Sequence, residues 1–396
     1  TRGVVHQNAS KVPRADEPER RGCVSHRDRR SSKWPRIMSV RVDLDERSYT
    51  VYFRSLRTLP ALLAENDLRT GKALLVTDEN VAAHYRTPVT TTLEQAGWSV
   101  RSIVLPPGES TKSAEHLHRI YDEALGWGID RQTPVLSLGG GVIGDLAGFA
   151  AATLLRGVPL VHLPTSLLAQ VDASVGGKTA INHETGKNLI GAFYQPRLVC
   201  SDPSTLDTLP MDEYTGGMAE VVKHALIHAP SLFETLEANT VPVFTRRDPD
   251  AVAETIEHAV AVKAEIVSAD EKESGVRTLL NFGHTFAHAI ESVAGYGTFS
   301  HGEAVAVGMR AGLHLSHRRH PSIDRDRLDD LIRAIPVEAD PSTLDFDALY
   351  RAMGSDKKNE GETIRFVLLR ELGDAYVTGD VTRDEAERAW HFACSS

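Results

Sequence analysis

From Val40 to about Cys200, short apolar runs alternate with stretches of helical period. Strands are predicted over 49–53, 73–77, 99–105, 134–138 and 160–163, with helices over 113–125 and 146–155 among them. Strands alternating with helices predict a mostly parallel sheet. After about Pro210 the period becomes helical, over 213–228, 249–270, 284–293, 303–317 and 324–335. Only 363–369 and 374–377 read as strands there. The pattern therefore predicts an α/β, Rossmann-like dinucleotide-binding domain over 38–205 and a mainly α-helical domain over 206–396.

Residues 164–193, PTSLLAQVDASVGGKTAINHETGKNLIGAF, follow neither period. The segment holds two Gly-Lys steps, Gly177-Lys178 and Gly186-Lys187, with Asp172, Asn182, Asn188 and several hydroxyls. Flexible backbone beside fixed cations suits a phosphate or carboxylate. Bounded by apolar runs near the junction of the two domains, it is expected to line a cavity. The plainer reading is an exposed loop with incidental lysines.

Composition narrows the classes. With 396 residues, 41% of them hydrophobic, the chain is long enough for two cored domains. No apolar run reaches the ~18 residues of a membrane span. Three cysteines without a CxxC pair support neither a disulfide framework nor a cysteine zinc site, so a reducing, cytoplasmic setting is expected. Net charge is -10, but residues 1–37 carry ten Lys/Arg against four Asp/Glu, which leaves a strongly acidic body. Such a body argues against a nucleic-acid partner. Residues 1–37 are aperiodic and rich in Arg, Ser and Pro, and read as disordered. A translated upstream region with Met38 as the true start, a non-native extension and an organelle-targeting peptide are the alternatives; Asp16, Glu17, Glu19 and Asp28 count against the last.

Three constellations carry chemistry. In VLSLGGGVIGDLAGFAA, Gly139, Gly141 and Gly144 satisfy G-x-G-x-x-G between a predicted strand and helix, the context of a dinucleotide site. The acidic ribose partner some twenty residues on is missing; Asp78 could take its place, and Asp145 is unusual beside an anion. A glycine turn that merely packs strand on helix is the simpler alternative. Second, Glu220, Lys223 and His224 share a helical face, His284 and His288 share another, and His301 opens a third helix. Glu and His donors with an open position suit catalytic zinc, and spacing alone nominates His284 with His288. A lone histidine on an apolar helix is as often structural. Third, Arg156, Lys178, Lys187, Lys223, Lys263, Arg277 and Lys357 sit in Gly- or Asn-rich or apolar surroundings, where a charge needs a partner.

These stretches, with VTDENV, LPPGESTKS, LGGGVIGDLAGFAAATLLRG, DPSTLDTLP, GGMAEVVKHALI, RTLLNFGHTFAHAIE, HGEAVAVGM and SDKKN, closely resemble the 3-dehydroquinate synthase family of sugar phosphate cyclases, from about Val40 to Trp390. The resemblance implies NAD and one divalent metal, zinc or cobalt. It also implies conversion of 3-deoxy-D-arabino-heptulosonate 7-phosphate to 3-dehydroquinate and phosphate, a step of aromatic amino acid biosynthesis. Transient NAD oxidation, β-elimination of phosphate, re-reduction and intramolecular aldol closure are the implied course. Metal ligands are implied at Glu220, His284 and His301, in place of the His284–His288 pair. NAD contacts are implied at Asp78, Asn80, Glu109, Lys112, Gly139, Gly140, Gly141, Val142, Asp145, Thr165, Ser166, Lys187, Thr208 and Glu213. Substrate contacts are implied at Arg156, Asp172, Lys178, Asn188, Lys223, Lys263, Arg277, Asn281, His288 and Lys357, the last with Lys358 as its adjacent alternative. Ser166 stands where a second Thr is common; the hydroxyl is kept. A homodimer is a further family expectation. The rival readings are a sister cyclase, such as an aminodehydroquinate synthase, and a metal-dependent polyol dehydrogenase.

Overall fold

A computed structural model describes residues 38–295, 297–354 and 363–395; Lys357, Lys358 and the 1–37 extension lie outside the described residues. Eleven strands are present among them: β1 (Ser39–Val42), β2 (Tyr49–Phe53), β3 (Lys72–Asp78), β4 (Ser99–Leu105), β5 (Val135–Gly139), β6 (Leu160–Pro164), β7 (Lys178–His183), β8 (Gly186–Phe193), β9 (Leu198–Ser201), β10 (Phe366–Glu371) and β11 (Asp374–Thr378). Seven form one sheet in the order β1-β2-β9-β6-β5-β3-β4, in which only β1–β2 pairs antiparallel. Strands β5, β6 and β9 are buried at every position, which is why they read as continuous apolar runs rather than alternating ones.

The strand order places the ligand crevice. From β3 the chain goes outward to β4 and then returns to β5 on the other side of β3. Where the order reverses, the connections leave in opposite directions and open a crevice beyond the carboxyl ends of the strands. Those ends are Asp78 on β3 and Gly139 on β5.

Most of the second half is helical. Met211–His228, Pro249–Ala269, His284–Ala294 and His301–Arg319 pack around one apolar core that also takes in Tyr49, Val51 and Phe53 of β2. Ser300 and Glu303 form a reciprocal capping box that fixes where the His301–Arg319 helix begins.

Two expectations need correction. The helix expected over 146–155 spans Gly141–Thr153, because its glycine-rich first turn carries no apolar period. Residues 164–193 are a π-helical turn at Ala169–Ala173 followed by the antiparallel β7–β8 hairpin. Strand β8 hid from the pattern because Leu189 to Phe193 are exposed on both faces, so burial never alternates there.

Candidate active site

The dinucleotide end is built from backbone. Gly140 caps the Gly141–Thr153 helix with no side chain, leaving the first-turn amides to an anion. A Cβ on Gly139 would lie 2.8 Å from the Ile143 Cβ, so a side chain there would force the turn or Ile143 to shift. Thr165 N donates to Gly139 O at 3.0 Å, and the Ser166 hydroxyl stands 3.3 Å from where a Gly140 Cβ would be. Thr165 therefore meets the glycine loop through its backbone, and Ser166 through its hydroxyl. Asp78 spends one carboxylate oxygen on Val81 N at 3.0 Å, and burial raises its pKa. Asn80 follows on an exposed turn. The Thr208 hydroxyl meets Tyr85 Oη at 2.6 Å. Glu213 lies in the first turn of the Met211–His228 helix, its pKa raised by burial and by Asp212.

Lys112 ties the hairpin to this end. Its ammonium, buried at 4% exposure, donates to Asp145 Oδ2 at 2.6 Å and to the Asn188 side-chain oxygen. Glu109 accepts from Asn182 Nδ2 at 2.8 Å, and Asn182 in turn accepts from Asn188 N at 2.9 Å. The aspartate that looked out of place beside an anion thus has its own cation. Burial nonetheless raises the Asp145 pKa against that help.

Two helix crossings build the other end. A Cβ on Gly302 would fall 2.2 Å from Gly216 O, and one on Gly308 would fall 2.0 Å from Gly283 O. Such close backbone approach brings three helices together one turn from Glu220, at His284 and at His301. Glu220 Oε1 sits 3.6 Å from His284 Nε2 and 3.5 Å from His301 Nε2. Ligands about 2.1 Å from a tetrahedral zinc ion stand ~3.4 Å apart. Glu220 Oε1 is buried without a hydrogen-bond partner, so the three donors fit a divalent metal. Lys223 donates to the other Glu220 oxygen. Burial would raise the Glu220 pKa, but Lys223 and His301 outweigh it and hold the group ionised far below its usual range.

Asp172, Glu220 and His224 form a second cluster of possible donors. It is a poor cation site, because Lys263 donates to Asp172 Oδ1 and O at 2.6 Å each and Lys223 occupies Glu220. Burial pushes Lys263 down to about 8, reinforced by Arg277 and Lys223 and opposed by Asp172. His288 stacks edge-on against His284 with ring centres 5.5 Å apart, outside the three-donor set.

Lys178 pairs with Glu273, which also accepts from Asn281 Nδ2 at 2.8 Å. Arg277 is 1% exposed and donates to Gly176 O and Glu271 O. Arg156 is exposed at φ 68, and no polar contact among the described residues ties it to the others. Lys187 meets Glu291 Oε1 at 3.3 Å. Glu273 and Glu291 escaped the sequence reading. Glu291 lies seven residues after His284, two helical turns on the same face, which is the signal that could have found it.

Family models described as 3-dehydroquinate synthase N-terminal and C-terminal match residues 102–216 and 217–359. A 3-dehydroquinate synthase of Salinibacter ruber (strain DSM 13855 / M31) is 72% identical over 360 residues, covering 91% of this chain and 98% of the relative. The chain belongs to the 3-dehydroquinate synthase family.

Solved structures of other synthases share the fold. A 2-epi-5-epi-valiolone synthase from Streptomyces hygroscopicus subsp. jinggangensis 5008, with NAD+ and Zn2+ bound, superimposes with a TM-score of 0.80 at 30% identity, covering 89% of this chain and 98% of that one. A 2-deoxy-scyllo-inosose synthase complexed with carbaglucose-6-phosphate, NAD+ and Co2+ gives 0.78 at 25% identity, with 89% and 99% covered.

Proposed function

We propose that the chain acts as a 3-dehydroquinate synthase, a lyase that converts 3-deoxy-D-arabino-heptulosonate 7-phosphate to 3-dehydroquinate and phosphate. The observation that carries this reading is the convergence of Glu220, His284 and His301 as a donor set in a chain 72% identical to a 3-dehydroquinate synthase. When bound, NAD supplies a reversible hydride acceptor and the divalent metal a Lewis acid toward a substrate hydroxyl.

The protein's own work is binding and orientation. Residues 38–205 supply most of the cofactor end, and 206–396 the rest of it with the metal and most substrate contacts. Glu220, His284 and His301 hold the metal. Lys223 keeps Glu220 ionised at that position. Asp172 aims the Lys263 ammonium, its carboxyl held well below the usual range chiefly because Lys263 overcomes the effect of burial. Lys178, Lys263, Asn188, Asn281 and His288 attract the phosphorylated end, and Arg156, Arg277 and Lys357 the carboxylate and hydroxyls. Glu273 holds Lys178 and Asn281 in place until an anion competes for them. Fixing the open-chain intermediate in one pose is the main contribution to ring closure. A cytoplasmic homodimer completes the proposal; light scattering checks the assembly. No helix among the described residues is long and apolar enough to cross a membrane.

The test is phosphate release by purified protein given NAD, zinc and the heptulosonate phosphate, beside the sugar phosphates used by sister cyclases. Release confined to the heptulosonate supports the reading. Preference for another sugar phosphate assigns the chain to a sister activity, and net NADH production from a polyol assigns it to a dehydrogenase.

A further inference from the structure

Glu291 stands at the far side of His301 from the metal donors. Its Oε1 lies 3.6 Å from His301 Nδ1, while His301 Nε2 faces Glu220 Oε1 at 3.5 Å. The two ring nitrogens are therefore assigned opposite tasks by position. Nε2 points into the donor set, and Nδ1 points at a carboxylate with only 16% of its side chain exposed. The same Glu291 oxygen meets Lys187 Nζ at 3.3 Å. Lys187 is on β8 and Glu291 on the His284–Ala294 helix, whose first residue is itself a donor. One carboxylate thus lies within ion-pair distance of a donor histidine, shares a helix with a second donor, and accepts a hydrogen bond from the hairpin that Lys112 ties to the Gly141–Thr153 helix.

We infer that Glu291 is a positioning residue for the metal centre: it fixes the His301 ring with Nε2 toward the metal, and Lys187 holds it in that pose. The physical ground is that a carboxylate accepting the far ring N–H fixes the tautomer and orientation and raises the basicity of the ligating nitrogen. Without it the ring can rotate or shift its proton to Nε2. The inference rests on the reading of Glu220, His284 and His301 as metal ligands.

The test is zinc affinity of the metal-stripped full-length protein, measured by competition with a chromophoric chelator, for wild type, Glu220→Ala, Glu291→Gln and Lys187→Met. Circular dichroism confirms folding of each. Wild type binds one zinc ion and Glu220→Ala loses it, whereas Glu291→Gln still binds but about 10- to 100-fold more weakly. Lys187→Met, a change at a partly exposed side chain, shows a smaller loss in the same direction. The cobalt-loaded Glu291→Gln protein shows a shifted ligand-field spectrum, which a purely structural role would not produce. Zinc affinity in Glu291→Gln within twofold of wild type overturns the inference while leaving the ligand assignment intact. Zinc binding untouched by Glu220→Ala overturns both. Should Glu291→Gln fail to fold, an unchanged affinity in Lys187→Met overturns the inference on its own.

Discussion

At the end of β5 the groups offered to a ligand are main-chain amides and hydroxyls, shaped by Gly139 and Gly140. Between the helices they are side chains of Glu220, Lys223, Lys263 and His284, mostly buried and charged or chargeable. The first arrangement costs little when empty, because amides at a helix start can be solvated. The second places ionised groups out of water and persists only because each is matched: Glu220 with Lys223, and Asp172 with Lys263. Breaking the two ends should therefore have unequal consequences.

The largest effect is expected from Glu220→Ala. It removes a donor and leaves the Lys223 ammonium buried without its carboxylate. Turnover should fall about 10^3-fold, the rate equivalent of the several kcal/mol a metal Lewis acid contributes. Stability should fall by about 3–5 kcal/mol. Metal analysis and urea denaturation check the two parts. Retained activity without metal would refute the donor assignment.

Gly302→Ala should come next. Its Cβ would be 2.2 Å from Gly216 O, so the two helices must separate, at a cost of roughly 1–3 kcal/mol. No donor is altered, yet zinc should bind more weakly while NAD binding is retained. Loss of NAD binding instead would mean that the two ends are not separable in this way.

The matched charges also predict a pH dependence. Lys263 is pushed down to about 8, chiefly by burial, so its charge is lost above that pH. The KM for an anionic substrate should rise on the alkaline side, approaching about tenfold per pH unit, and Lys263→Arg should flatten that limb. In the unfolded chain the lysine titrates near 10.4, so between about 8 and 10.4 the unfolded state binds more protons. The lysine's contribution to stability therefore rises with pH across that window, and its burial cost is fully present below 8. A wild-type KM that stays level from pH 7 to 9.5 would contradict this.

Gly139→Ala should give the smallest effect, since a backbone cradle can yield. The clash with Ile143 should weaken NAD binding by about tenfold or less and leave zinc affinity unchanged, as calorimetry would read.

The same contrast explains what the sequence disclosed. Strands β3 to β6 were legible because two-face burial writes uninterrupted apolar runs, and the glycine loop because its spacing is local. The converging donor set was not legible from spacing. His284 and His288 share a helical face, but the donors that converge with Glu220 are His284 and His301, which tertiary packing brings from separate helices at the Gly216–Gly302 and Gly283–Gly308 contacts. Only the family resemblance supplied that set in advance. The β7–β8 hairpin was missed because exposure on both faces of β8 erases alternation. Glu273 and Glu291 were missed because each gains its meaning from a distant partner, Lys178 in one case and Lys187 with His301 in the other.

Both ends are expected to serve one redox-neutral reaction, and the stoichiometry of turnover tests that most directly. With NAD far below the heptulosonate phosphate, phosphate and 3-dehydroquinate should appear in equal amounts over many turnovers with no net NADH. One NADH formed for each phosphate released, or turnover that stops when the added NAD is consumed, would contradict the account.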